Sequence, residues 1–312
     1  MKRVLFILSL LLLAGAATLA WTFAPTRLEV QAALPTKLPT SNSPPGMSLS
    51  ALPTGSMTSR AALAYRGGTF GDERVFSMTA ILVRHPRGDL LFDTGFGRKM
   101  DAHLAMQPAL LRATTNYIKG TPAAEQLAAH GFEPRQLAGV VLTHAHWDHV
   151  SGLDDMPGVP VWVTAAERDF IANGGSKTAV ARGLGKVEFK LYGFDSGPYL
   201  GFPRSHDFWG DGSVVLVPAG GHTPGSVIAF ITLPSGARYA LLGDLVWQNE
   251  GIDLPAERPW VSRTLVDVDA ELVRQNIDRV AAIHRRFPQV AMIPAHDARA
   301  NGALPVFPAA VR

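Results

Sequence analysis

The amino-acid sequence predicts a layered α/β fold with mixed β-sheets. Three observations carry this: apolar strand-like runs interleave with helix-period segments, the first two runs read as a hairpin, and no internal repeat of about 20 to 50 residues is present. The hairpin joins residues 78–84 to 89–93 through His85-Pro86-Arg87-Gly88, a turn composition. An antiparallel start excludes a purely parallel sheet.

Further strands fit 139–143, 159–163, 213–218, 227–232, 238–242 and 290–294, each a short apolar run. The clearest helix spans 269–287. Asp267 or Asp269 can cap it, Leu272, Val273, Ile277, Val280, Ala281 and His284 recur at spacings of three and four, and Pro288 ends it. A second helix fits 123–129, stopped by Gly131.

With 312 residues, 47% of them hydrophobic, the chain can bury a large core. Its beginning reads as a targeting segment: Lys2 and Arg3, then the apolar run Val4 to Leu13, then Ala14-Gly15-Ala16-Ala17. The apolar character continues to Ala24, about the length that spans a bilayer. Residues 1–24 are therefore expected to be a signal peptide or an N-terminal membrane anchor, with an exported protein, periplasmic or secreted, or tethered to the inner membrane by the uncleaved segment. Residues 25–60 are rich in Pro, Ser and Thr and are expected to form a linker or an arm laid over the domain, which leaves 61–312 as the main domain.

There is no cysteine, which excludes disulfides, thiolate ligands and lipidation through an N-terminal cysteine. The net charge of +3 is modest and its Lys and Arg are scattered in runs no longer than a pair, so no nucleic-acid partner is expected.

The segment Thr143-His-Ala-His-Trp-Asp-His149 follows a strand-like run directly. In extended backbone His144 and His146 project to the same side and can share one metal ion. Asp148 and His149 lie where the chain must turn and can face a second ion. Three more strand-end segments carry metal-binding side chains: Gly220-Gly-His-Thr-Pro-Gly225, Leu242-Gly-Asp244 and Pro294-Ala-His-Asp297. Open α/β architectures gather such loops at one crevice.

In order and kind, His144-Ala-His-Trp-Asp-His149, His222, Asp244 and His296 resemble the motif series of the metallo-β-lactamase superfamily, and Leu91-Phe-Asp-Thr-Gly95 resembles its first motif. The resemblance covers roughly residues 79–297. It implies an αββα sandwich with two mixed sheets, one ion held by His144, His146 and His222, a second by Asp148, His149 and His296, and Asp244 bridging them. Nitrogen and oxygen ligands suit zinc first, with iron, manganese or cobalt also compatible. Asp93 reads equally as a residue that orients the ligand loops by hydrogen bonds and as a plain turn residue. His85, His103, His130, His206 and His284 lack such company.

The expected chemistry is hydrolysis: water activated by two metals attacks a carbonyl carbon, and Asp148, the one catalytic side chain besides its ligand role, assists departure of the alkoxide. An acidic residue at 244 resembles the lactonase branch more than the β-lactamases proper, as do Gly221-His-Thr-Pro-Gly-Ser226 and His296-Asp297. The expected substrate is a small ester or lactone, as for N-acyl-homoserine lactonases. The alternatives are a β-lactam hydrolase, a phosphodiesterase or redox member of the fold, and, last, a non-catalytic exported metal-binding protein. Glyoxalase-type thioester hydrolysis is not expected, because little sequence follows His296. Where those lactonases place a tyrosine after the bridging aspartate, this chain has Trp247. Trp147, Trp247, Phe202, Phe208 and Trp209 are candidates to line an acyl pocket.

Overall fold

The computed structural model describes residues 2–312, apart from the side chains of Leu110 and Thr114. Met1 of the expected targeting segment lies outside the described residues. Twelve strands form two sheets: β1 (Ser48–Arg60), β2 (Glu73–Arg84), β3 (Leu90–Phe92), β4 (Asn116–Lys119), β5 (Gly139–Val141), β6 (Val161–Thr164), β7 (Phe189–Tyr192), β8 (His206–Asp207), β9 (Val214–Pro218), β10 (Val227–Thr232), β11 (Arg238–Gly243) and β12 (Val290–Pro294). The first sheet has the order β4-β1-β2-β3-β5-β6-β7 and the second β12-β11-β10-β9-β8. Both are mixed: β3, β5, β6 and β7 run parallel, as do β11 and β12, while the remaining pairs are antiparallel.

Alternation along the strands builds the layers, since successive side chains point to opposite faces. Leu82, Leu91 and Val140 face a core beneath helices, whereas their neighbours Val83, Phe92 and Val141 face the second sheet. In that second sheet Leu216, Ala229 and Leu241 face inward, and Val217, Ile228, Phe230 and Ala240 face outward against the helix Ala270–Arg286. The result is the expected αββα sandwich with three apolar layers. The long helix presents Val273, Ile277, Val280 and Ala281 to it, spaced as the sequence predicts, and Asp269 caps it by accepting from the Glu271 and Leu272 amides. Each fully buried Ile or Val here contributes about 1.5–3 kcal/mol.

The expected linker over 25–60 is corrected at its second half. Ser48–Arg60 is a thirteen-residue strand inside the first sheet, paired with β2 along its length. Its Pro53 and Gly55 flank a register shift, a bulge that accommodates a proline without breaking the strand. Residues 25–47 have no regular element, yet Leu28, Val30, Leu34 and Leu38 pack against the core under the long helix, and Asp278 accepts from the Gln31 and Ala32 amides. Strands β4, β7 and β8 are further additions; all are short and carry little apolar periodicity.

Candidate metal centre

All the singled-out side chains leave the carboxyl ends of strands. His144, His146, Asp148 and His149 follow β5, with the latter two in the short helix Trp147–Val150; His222 follows β9, Asp244 follows β11, and His296 follows β12. The two sheets deliver them to one edge of the sandwich, where they form three overlapping groups: His144, His146 and His222; His144, His149 and Asp244; and Asp148, His149 and His296. Within each group the ligand atoms lie within 4.8 Å of one another.

Asp244 stands between the outer groups. Its Oδ1 is 3.0 Å from His296 Nε2 and 3.2 Å from His149 Nε2, and its Oδ2 is 3.5 Å from His222 Nε2. His146 Nδ1 and His222 Nε2 face each other at 2.9 Å, and Asp148 Oδ2 is 3.5 Å from His296 Nε2. Of the seven, only His146 is not fully buried, so the centre opens at His146, where the Phe170 ring lies 6.1 Å away.

The donors fit a divalent metal. His144 Nε2, His149 Nε2 and Asp244 Oδ1 are buried without a hydrogen-bond partner, a state that costs about 1–3 kcal/mol per atom unless something else satisfies it. Burial holds the His144 and His146 rings well below their ordinary pKa, with the neighbouring imidazoles adding to the effect, and a neutral ring is the ligating form. Burial also works to lower His149, but Asp93 and Asp244 overcome it and hold that ring well above its ordinary value. Three carboxylates, Asp93, Asp148 and Asp244, thus favour positive charge at the centre.

The supporting residues fix each ring. Asp93 has φ +52°, a left-handed backbone that costs an aspartate stability, and it accepts from the Thr143 amide (2.7 Å), the Thr143 hydroxyl (2.7 Å) and His149 Nδ1 (2.8 Å). Of its two sequence readings, the orienting one describes this geometry. The Ser77 carbonyl lies 3.0 Å from His296 Nδ1. Asp267 accepts from His222 Nδ1 at 2.8 Å and pairs with Arg258, whose guanidinium also donates to the carbonyls of Asp244 and Leu245 and lies over the Trp247 ring.

Sequence reasoning missed Glu167, Asp267 and Arg258 as site-supporting residues. Glu167, on the helix Ala165–Asn173, is buried and accepts from the Ala145 amide (2.6 Å), the Thr223 hydroxyl (2.7 Å) and the Gly225 amide (3.0 Å). It therefore clasps the His144–His146 loop to the His222 loop. A Cβ on Gly225 would lie 2.3 Å from the Glu167 amide nitrogen, so only glycine lets the two segments meet. No local motif marks Glu167; the only cue is its acceptor chemistry, and the donors come from distant segments.

The expected acyl pocket is corrected for four of its five aromatics. Phe202 packs on Phe230 behind the second sheet, Phe208 and Trp209 pack on one another near Trp162 and His85, and Trp147 stacks on Phe96 in the helix-covered core. Trp247 alone touches a candidate ligand: its indole N–H donates to Asp244 Oδ2 at 2.8 Å, orienting the carboxylate. His284 pairs with Asp253 at 3.2 Å on the half-exposed side of the long helix. His284→Ala is expected to shift stability by less than about 1 kcal/mol and leave hydrolysis unchanged, checked by thermal melts and turnover.

Asp267 supplies a pH-dependent term. Burial raises its carboxyl pKa, but Arg258 and His222 outweigh that and hold it at about 2, below its ordinary 3.8. A carboxyl depressed by folding stabilises the fold above its unfolded value, and this stabilisation disappears as the pH falls through the folded value. On the order of 2 kcal/mol should be lost between about pH 4 and about pH 2. Urea midpoints across that window should fall more steeply for the natural chain than for Asp267→Asn.

A family model described as the metallo-beta-lactamase superfamily matches residues 74–286. The chain belongs to that superfamily. A probable metallo-hydrolase of Mycobacterium tuberculosis (strain ATCC 25618 / H37Rv) is 32% identical over 238 residues, 70% of this chain and 73% of the relative, and one from Mycobacterium bovis (strain ATCC BAA-935 / AF2122/97) matches to the same extent. Among solved structures, an N-acyl homoserine lactone hydrolase with the product N-hexanoyl-L-homoserine at its catalytic metal centre superposes with a TM-score of 0.66 at 18% identity, covering 85% of this chain and 98% of that one. A dizinc quorum-quenching lactonase in complex with a product superposes with a TM-score of 0.54 at 14% identity, over 86% and 92% of the two chains. This member of the superfamily is a metal-dependent hydrolase.

Proposed function

We propose that this superfamily member is an exported hydrolase with two divalent ions, zinc in the first instance, that opens a lactone or ester. The observation that carries the reading is the placement of Asp244, whose two oxygens reach toward both outer groups of donors at 3.0–3.5 Å. His144, His146 and His222 would hold one ion, Asp148, His149 and His296 the other, and Asp244 both. Ions bound there lower the pKa of water toward neutrality and polarise a carbonyl oxygen. The chain's own residues do the rest. Asp93, Asp267 and Ser77 fix His149, His222 and His296, Glu167 holds the two ligand loops in register, and Trp247 fixes the Asp244 carboxylate. Asp148, 3.5 Å from His296, would hold the proton that a leaving alkoxide needs.

The lactone reading draws on the two structural neighbours solved with lactonase products. Export draws on the helix Lys2–Phe23, in which an 18-residue window has a mean hydropathy of 2.4 and no buried residue, which suits a membrane better than a protein core. Metal content of the purified full chain, measured beside hydrolysis of acyl-homoserine lactones, a simple ester, a cephalosporin and a phosphodiester, tests the proposal. Two ions per chain with lactone or ester opening is the expected result. One iron per chain, or cleavage confined to the cephalosporin or the phosphodiester, would overturn it.

A further inference from the structure

We propose that the catalytic domain rests on the lipid surface through Phe70 and Trp260, the exposed aromatic residues that meet the end of the helix Lys2–Phe23. The inference takes the anchor alternative for the N-terminal segment, which the proposed export leaves open beside a cleaved signal, and adds how the domain is oriented on it.

The helix Lys2–Phe23 is not connected to the domain by a free tether. Arg66 donates to the carbonyls of Trp21 (2.9 Å) and Ala24 (3.2 Å), and its guanidinium lies over the Trp21 ring. The Gly67 amide donates to the Phe23 carbonyl (3.0 Å), the Trp260 amide donates to the Thr22 hydroxyl (2.5 Å), and the Phe23 and Phe70 rings meet at 5.0 Å. Arg66 is itself buried and faces Glu257 at 3.5 Å. The end of the helix is thus clamped between the segment after β1 and the helix Trp260–Val266, so its direction sets the direction of the domain.

A helix of 22 residues is about 33 Å long, close to the roughly 30 Å hydrocarbon thickness. With Lys2 and Arg3 at one surface, Trp21 falls at the opposite interface, the depth that tryptophan favours. Phe70 and Trp260 contact the last turn of that helix and so reach the same depth. They are 58% and 55% exposed. Large side chains this open to water gain by entering lipid. The segment that begins at Trp260 runs on to the centre. The Val268 amide donates to the carbonyls of Gly221 (2.8 Å) and His222 (3.2 Å), and Asp267 holds the His222 ring. A substrate with an acyl chain dissolved in the bilayer would therefore meet the centre from the surface on which the domain sits.

The chain contains no cysteine, so a single introduced cysteine carries a fluorophore at one known place. Three full-length variants are informative: Trp260→Cys on the proposed surface, Leu11→Cys within the helix, and Leu191→Cys at the β7 edge of the first sheet, all exposed positions. Each is reconstituted in phosphatidylcholine–phosphatidylglycerol vesicles and challenged with brominated acyl chains and with aqueous iodide. The expected result is severalfold stronger bromolipid quenching at 260 and 11 than at 191, with iodide reaching only 191. Quenching at 11 but iodide access at 260 overturns the docking surface and leaves the anchor standing. A label at 260 shielded from both quenchers places protein there instead and also overturns the proposal. Iodide access at 11 overturns anchor and docking together.

Discussion

Asp244→Ala is expected to strip metal from both halves of the centre and to lower kcat/KM by more than about a hundredfold, the upper end of what removal of a merely supporting residue costs. The carboxylate lies within 3.5 Å of ring nitrogens from His149, His222 and His296, which follow three different strands. Without it those imidazoles face one another with no negative charge between them, and in the proposed two-ion centre each cation would lose the group that screens it from the other. Metal analysis after dialysis, read beside turnover, checks this. A variant that keeps two ions and full turnover would remove Asp244 from the centre.

Glu167→Ala is expected to cost about 3 kcal/mol or more of stability and to weaken metal binding. The substitution leaves the Ala145 and Gly225 amides without acceptors in a buried site, at about 1–3 kcal/mol each, and opens a cavity between the two loops. Thr223 is less affected, since Ser226 lies within hydrogen-bond distance of its hydroxyl. The carboxyl is buried, which pushes its pKa up to about 7 against the lowering effect of its three donors. Glu167→Gln separates shape from acceptor chemistry. It fills the space but turns an N–H₂ group toward a donor, so it should recover part of the stability and little of the metal affinity. Urea unfolding together with metal titration distinguishes the two effects.

The sequence made the centre easier to read than the frame around it. His144, His146, Asp148, His149, His222, Asp244 and His296 are chemically distinctive and sit at the ends of apolar runs, so their convergence follows from strand topology. The long helix was equally legible, because its cap, its periodicity and its terminal proline agree. The strand β1 was hidden for the opposite reason. Ser48–Arg60 contains Pro53, Gly55 and four serines or threonines at its far end, a composition that suits a linker, and only its pairing with β2 and β4 makes it a strand. Glu167, Arg258 and Asp267 were invisible because their partners are backbone groups and rings from other segments. The aromatic residues misled because bulk near a motif in sequence does not fix which layer a side chain enters.

The last ligand has a bearing on when the centre can exist at all. His296 follows β12, which takes its place parallel to β11 only after the helix Ala270–Arg286 has crossed the outer face of the second sheet. A growing chain that has completed His144, His222 and Asp244 therefore still lacks part of the pocket, and the donor group Asp148, His149 and His296 is incomplete until β12 has been made. Assembly of that half of the centre is therefore tied to the docking of β12 on β11, the last pairing of the second sheet to become possible as the chain grows.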